Sequence, residues 1–186
     1  MDYAKLFEAV SPGFFERESI KNLPPEDVCV EQVMWLKDCD IGQISLDCPE
    51  EITFGIYNGP LQPLREAVAE VDEGWVQYFG EGSRVFCAFD NDRIVSFCNL
   101  DSMCEFEGFR VAGPGCVGTV PDYRKRGIGL KMVRKATEML KDEGYDISYI
   151  HYTHLENWYG RLGYKTVVRW NGRGIIWSAA DDIKKA

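Results

Sequence analysis

VGTVPDYRKRGIGLKMVRK, running from Val117 to Lys135, is the stretch that decides the fold. It begins as an apolar, strand-like run and passes through a basic turn, Arg124-Lys125-Arg126-Gly127-Ile128-Gly129. It then opens directly into a helix. Gly127 and Gly129 let the backbone bend tightly and approach a ligand with no Cβ in the way. The first helical amides lack intrahelical acceptors and point outward, with the positive end of the helix dipole behind them. Such a strand–turn–helix is an anion cradle, and phosphate is its usual occupant.

Immediately upstream, Gly113-Pro114-Gly115-Cys116-Val117-Gly118 has the letters of the dinucleotide fingerprint G-x-G-x-x-G. That fingerprint must open a helix, whereas here Val117, Thr119 and Val120 continue an extended run that Pro121 closes. Gly113 and Gly115 are therefore expected to mark a bulge or a bent strand. No G-x-x-x-x-G-K-[ST] phosphate loop is present.

Outward from this stretch the pattern is regular from Ile52 onward. Ile52 to Tyr57 reads as a strand and Asn58-Gly59-Pro60 as a turn. Leu64, Val68, Val71, Trp75 and Phe79 recur at helical spacing with Glu66, Glu70 and Glu73 on the wet side. Arg84 to Phe89 and Arg93 to Asn99 flank Asp90-Asn91-Asp92, which is hairpin chemistry. Leu130, Val133, Thr137 and Leu140 form the buried face of a helix that stops at Gly144. Ile147 to Tyr152 is a strand and Glu156 to Leu162 a short helix ending at Gly163. Lys165 to Trp170 and Ile175 to Ser178 are strands joined through Asn171-Gly172, a strong hairpin signal. This order predicts an α/β (α+β) protein with a mixed sheet, neither doubly wound nor a barrel.

The first fifty residues read as an extension packed on the main domain, dividing the chain into 1–50 and 51–186. Tyr3, Leu6, Phe7 and Val10 share a helical face, and Ser11-Pro12 is a good start for a second short helix through Phe14, Phe15 and Ile20. Val28 to Leu36 fits a strand or a buried helix equally.

At 186 residues and 45% hydrophobic content, one well-buried domain with an appendage is expected. The formal net charge of -9 argues against a nucleic-acid partner. Yet Arg124, Lys125, Arg126, Lys131, Arg134 and Lys135 follow one another with no acid between them, a local cationic patch suited to a small anionic ligand. Seven cysteines with no CxxC pair indicate neither a disulfide framework nor a metal site, and fit free thiols in a reducing, cytoplasmic setting. His151-x-x-His154 lacks further ligands nearby in sequence, so no metal is expected there. No apolar run approaches the length of a membrane span, so no membrane partner is expected.

The R-x-x-G-x-G arrangement of Arg124, Gly127 and Gly129 resembles the acetyl-CoA pyrophosphate loop of the GNAT superfamily of N-acyltransferases. Trp158-Tyr159-Gly160-Arg161-Leu162-Gly163-Tyr164 resembles the later Y-x-x-x-G-[FY] signature of that family, and the element order from Ile52 onward is that of the GNAT fold. The resemblance covers roughly two-thirds of the chain, and two motifs in the right context are more specific than either alone. It implies acetyl-CoA as cosubstrate and no metal. The backbone of Val117, Gly118 and Thr119 would pair with the pantetheine arm. Amides of Lys125, Arg126, Gly127, Ile128, Gly129 and Leu130 would hold the pyrophosphate, with Arg124 and its basic neighbours assisting.

The resemblance also implies transfer of an acetyl group directly to a primary amine of a small molecule or peptide. Tyr159 matches the tyrosine that protonates the leaving thiolate in this family, and a phenol of pKa about 10 suits that task. The base is open among Glu105, Glu107, His151 and His154. Family members often carry an asparagine about seven residues before the tyrosine, where this chain has Tyr152. That departure keeps a second reading alive, an acyl-CoA-binding sensor or scaffold without turnover. A homodimer is left open.

Overall fold

In the computed structural model, which describes residues 1–180, the run before the basic turn is a strand and the run after it a helix. In chain order the helices are α1 (Tyr3–Val10), α2 (Glu18–Lys21), α3 (Leu61–Ala69), α4 (Ile128–Asp142) and α5 (Glu156–Gly160). The strands are β1 (Cys29–Trp35), β2 (Ile52–Ile56), β3 (Val85–Asp90), β4 (Arg93–Phe106), β5 (Phe109–Thr119), β6 (Ile147–Thr153), β7 (Lys165–Asn171) and β8 (Gly174–Ser178). They form one eight-stranded sheet in the order β2-β3-β4-β5-β6-β1-β7-β8. β5 pairs with β6 in parallel, while β1 is antiparallel to both β6 and β7, so the sheet is mixed as the element order predicts.

The chain divides into two compact units, Met1–Cys39 with Ser102–Ala112 and the residues from Gly144 on, and Asp40–Asp101 with Gly113–Glu143. In the first unit the apolar stripe of α1 supplies Tyr3, Leu6 and Phe7 to a core with Phe14, Ile20, Tyr149, Val168 and Trp170. β1 settles the ambiguity of Val28 to Leu36 as a strand, with every residue from Cys29 to Met34 buried. A strand hydrogen-bonded on both edges and covered on both faces has no solvated side, so polar alternation is absent and periodicity cannot identify it.

In the second unit α4 packs on β2 and β3 and buries Ile128, Met132, Val133 and Leu140. Each such burial is worth roughly 1.5–3 kcal/mol relative to exposure. Gly144, at φ 78, follows the helix in the left-handed conformation that lets the chain leave it.

Two expectations need correction. The helix foreseen through Phe79 ends at Ala69, because Asp72 adopts φ -159 and its carboxylate caps Gly74 N–H at 2.8 Å, starting a separate 3-10 segment, Glu73–Tyr78. Ser11 ends α1 rather than starting a helix, because Gly13 turns left-handed and Arg17 is extended, splitting the next segment into Phe14–Glu16 and α2. Within β5, Cys116 takes φ 46, next to Gly115.

Candidate functional site

The turn into α4 belongs wholly to the second unit. Lys125 and Gly127 take φ 63 and 75 on either side of Arg126, so successive N–H groups turn toward a common side, as in the anion-binding concavities called nests. Among the described residues, none of the six backbone N–H groups from Lys125 to Leu130 has a protein acceptor; the first helical bond is Lys131 N–H to Gly127 O at 3.1 Å. Gly127 is required by space as well as by conformation. A Cβ there would lie 1.9 Å from the carbonyl oxygen of Asp47.

The side chains around the turn divide by task. Arg124 Nε donates to Thr119 O at 3.0 Å, and Arg126 lies over the Tyr123 ring at 5.0 Å and 3.9 Å from Glu51. Tyr123 itself donates to Asp90 at 2.6 Å. Arg134 turns away to the carbonyls of Ile44 and Gly42, at 2.6 and 3.3 Å, and Lys135 to Glu138 at 3.8 Å, so these two cations tether structure.

On the approach strand, Ser96 Oγ donates to Gly118 O at 2.6 Å and meets Thr119 Oγ1 at 2.9 Å. A Cβ on Gly118 would strike the Phe97 ring at 2.4 Å. Burial, reinforced by Asp101 and Asp72, pushes the Cys116 thiol up to about 11, which suits a packed thiol and not a nucleophile.

Tyr159 belongs to the first unit, buried on α5 with Trp158 and Tyr164 rings at 4.7 and 6.0 Å. The five-residue helix is too short to hold itself and is pinned from outside. Glu156 accepts from Thr166 at 2.7 Å and Arg169 at 2.5 Å, contacts that keep its carboxyl below the usual carboxylate range despite partial burial. Gln32 Nε2 donates to Glu156 O at 3.3 Å, tying α5 to β1 as well.

The sequence reading missed Glu31, a fully buried carboxylate in the middle of β1. Its Oε1 accepts from Trp170 Nε1 at 2.7 Å and from Tyr152 N–H at 3.0 Å, and its Oε2 meets His151 Nδ1 at 2.8 Å. The register explains this convergence. Val30 pairs with Thr153 but Gln32 with Ile150, so β6 carries one extra residue opposite Glu31. Such a bulge re-aims side chains, and Tyr152 takes φ 51 to make it. The carboxylate selects the imidazole tautomer with its proton on Nδ1, leaving Nε2 as a lone-pair acceptor on a ring flanked by Phe7 and Phe14. The available signal was the polar pair Glu31-Gln32 inside an apolar run.

Of the other base candidates, Glu107 lies in the β4–β5 turn at φ 51, and His154 is engaged by Asp27 at 2.7 Å and Cys29 at 3.2 Å. A hollow of about 470 Å³ in the first unit, between Trp35, Phe109, Lys37 and Lys165, touches Gly163 of the Tyr159 signature but none of the candidate catalytic or cofactor-binding residues. No helix among the described residues is long and apolar enough to cross a membrane.

The family model described as acetyltransferase (GNAT) domain matches residues 57–167, more than half the chain. The chain belongs to the GNAT acetyltransferase family. Enzymes of this family use acetyl-CoA as cosubstrate and act on amine acceptors. Solved structures agree at the level of fold. A GCN5-related glucosamine N-acetyltransferase region of a fungal multi-domain GH3 β-N-acetylglucosaminidase is 23% identical over 81% of this GNAT chain and 21% of its own, with a TM-score of 0.66. A GCN5-related N-acetyltransferase from Kribbella flavida is 15% identical over 83% and 60%, at 0.56. Another, from Sphaerobacter thermophilus, is 18% identical over 79% and 50%, at 0.57. The present chain thus spans less than two-thirds of each of these proteins. No significant match is found among curated proteins.

Proposed function

We propose that this GNAT chain moves an acetyl group from acetyl-CoA to a primary amine, in a small molecule or a peptide, by direct transfer. The observation that carries the reading is the run of unpaired N–H groups from Lys125 to Leu130 at the start of α4. Charge-assisted N–H bonds are roughly twice as strong as neutral ones, so several together anchor a pyrophosphate. Val117, Gly118 and Thr119 supply backbone for the pantetheine arm in the manner of an added strand. Arg124, Lys125 and Arg126, all exposed, add field to the cradle.

Tyr159 is assigned as the acid and His151 as the base. The amine nitrogen bonds to the acetyl carbon as the carbon–sulfur bond breaks. His151 Nε2 takes one proton from the incoming ammonium. The proton shed by nitrogen on collapse balances the one Tyr159 gives to sulfur. What favours His151 over His154 is that the buried Glu31 carboxylate holds its Nδ1 and fixes the ring, whereas the Nε2 of His154 is itself taken by Asp27 and Cys29.

The test is thiol release from acetyl-CoA against a panel of polyamines, amino sugars and peptide N-termini, with the products weighed by mass spectrometry. Acetylated amine in step with free CoA supports the proposal. CoA binding with no turnover on any class refutes it in favour of the sensor reading, which Tyr152 in place of the family's asparagine motivates.

A further inference from the structure

Three side chains outside the acetyltransfer machinery converge where β1 begins and β6 ends. The register brings them there. Val30 pairs with Thr153, so the next positions outward, Cys29 and His154, face each other across the ladder. Cβ atoms of such opposed residues lie about 4.5–5.5 Å apart. Asp27, just before the strand, reaches the same histidine.

His154 Nε2 lies 2.7 Å from Asp27 Oδ1 and 3.2 Å from Cys29 Sγ, and all three donor atoms fall within 4.8 Å of one another. A ring nitrogen has one in-plane direction, for either a proton or a lone pair. It cannot serve a carboxylate and a thiol fully at once. A cation placed among the three satisfies all of them.

We propose that Asp27, Cys29 and His154 form a zinc site that clips the entry of β1 to the exit of β6. The donor set is one thiolate, one imidazole nitrogen and one carboxylate oxygen, with water as fourth ligand. That mixture suits a borderline-soft ion. Calcium and magnesium prefer oxygen alone.

The fit needs only a small outward shift. Zinc–ligand bonds of about 2.0–2.3 Å at tetrahedral angles place sulfur about 3.6 Å and oxygen about 3.3 Å from the nitrogen. The His154 side chain, 52% exposed, is free to retreat by a few tenths of an ångström. Cys29, fully buried, stays as the fixed point. The thiol gives its proton to solvent as the metal–sulfur bond forms. From sequence His154 had no ligand neighbours, because Cys29 and Asp27 lie 125 and 127 positions away.

The test uses the full chain, stripped with chelator, reduced, and titrated anaerobically with cobalt(II) as a coloured stand-in for zinc. One equivalent should raise a thiolate-to-cobalt band in the near ultraviolet with visible bands of four-coordinate intensity, and zinc should bleach both. Cys29→Ser should remove the thiolate band. Asp27→Asn and His154→Asn should weaken cobalt by at least about tenfold, since even outer-shell partners of a metal cost that much. Zinc should raise the melting temperature of wild type and not of His154→Asn.

Absence of a thiolate band at millimolar cobalt overturns the site. So does a band that survives Cys29→Ser, which would come from another of the seven cysteines. Should Cys29→Ser fail to fold, His154→Asn decides, and unchanged cobalt affinity in that folded variant refutes the proposal. Metal binding is read without substrate, so this outcome is independent of the acetyltransfer reading.

Discussion

Replacing Gly127 by alanine separates the cradle's geometry from its charge. Gly127 sits at φ 75, where an L-residue costs about 1–2 kcal/mol. The new Cβ would also begin 1.9 Å from Asp47 O, and real Cβ contacts essentially never fall below 3.0 Å, so the turn or Asp47 must yield by about 1 Å. The conformational part alone should lower the melting temperature by about 2–8 °C for a chain of this length. Displacing two N–H donors by that amount forfeits two hydrogen bonds to a charged group, each worth about 1.5–3 kcal/mol. Together they correspond to a loss of about 10²- to 10⁴-fold in CoA affinity. Calorimetric titration of CoA, with melting curves on the same sample, measures both. A Gly127→Ala protein whose melting temperature and CoA affinity match wild type would falsify the cradle assignment and the reasoning behind it.

Tyr159→Phe keeps the ring and removes the proton donor, so turnover should fall by about 10²-fold while CoA affinity holds; equal turnover at every pH removes Tyr159 from the chemistry. Glu31→Gln leaves an acceptor for Trp170 and Tyr152 but turns an amide toward His151. It should cost about 1.5–3 kcal/mol in urea unfolding and lower turnover while CoA affinity holds. Unaltered turnover excludes the dyad. Burial pushes the Cys87 thiol from 9.0 up to about 12. The unfolded chain sheds this proton near pH 9 and the folded chain only near 12, so stability present below pH 9 is lost across that window, by about 4 kcal/mol. Cys87→Ala should therefore reduce the fall in unfolding free energy by about 1.4 kcal/mol per pH unit. An unchanged slope means the thiol is not shielded.

What could be read from sequence was whatever is written in neighbouring residues. The turn into α4 announces itself through Gly127, Gly129 and the cations around them, and the β7–β8 hairpin through Asn171-Gly172. The C-terminus of α4 is marked by Gly144. The break after α3 was also locally written, in Asp72-Glu73-Gly74, but the apolar residues Val71, Trp75 and Phe79 keep a helical period across it and mask the cap. The hydrogen bonds of Glu31 were illegible for a different reason. Its partners His151 and Trp170 lie 120 and 139 positions downstream, and no local pattern encodes a hydrogen bond at that range. For the same reason β1 could not be placed, since its neighbours are made by the far end of the chain.

The position of β1 between β6 and β7 also sets a schedule for synthesis. A ribosome that has finished Cys29 must add 125 more residues before His154 exists to face it. At about 5–20 residues per second, this leaves a largely buried strand without either neighbour for roughly 6–25 s. Its first unit can close only after β7 has been made, and mean sequence separation of this kind slows folding. Throughout that interval Cys29, Val30, Val33 and Met34 are an adhesive segment on a nascent chain. Slowing translation beyond residue 35, or depleting chaperones that mask apolar strands, should lower the soluble yield before it alters any property of the finished protein.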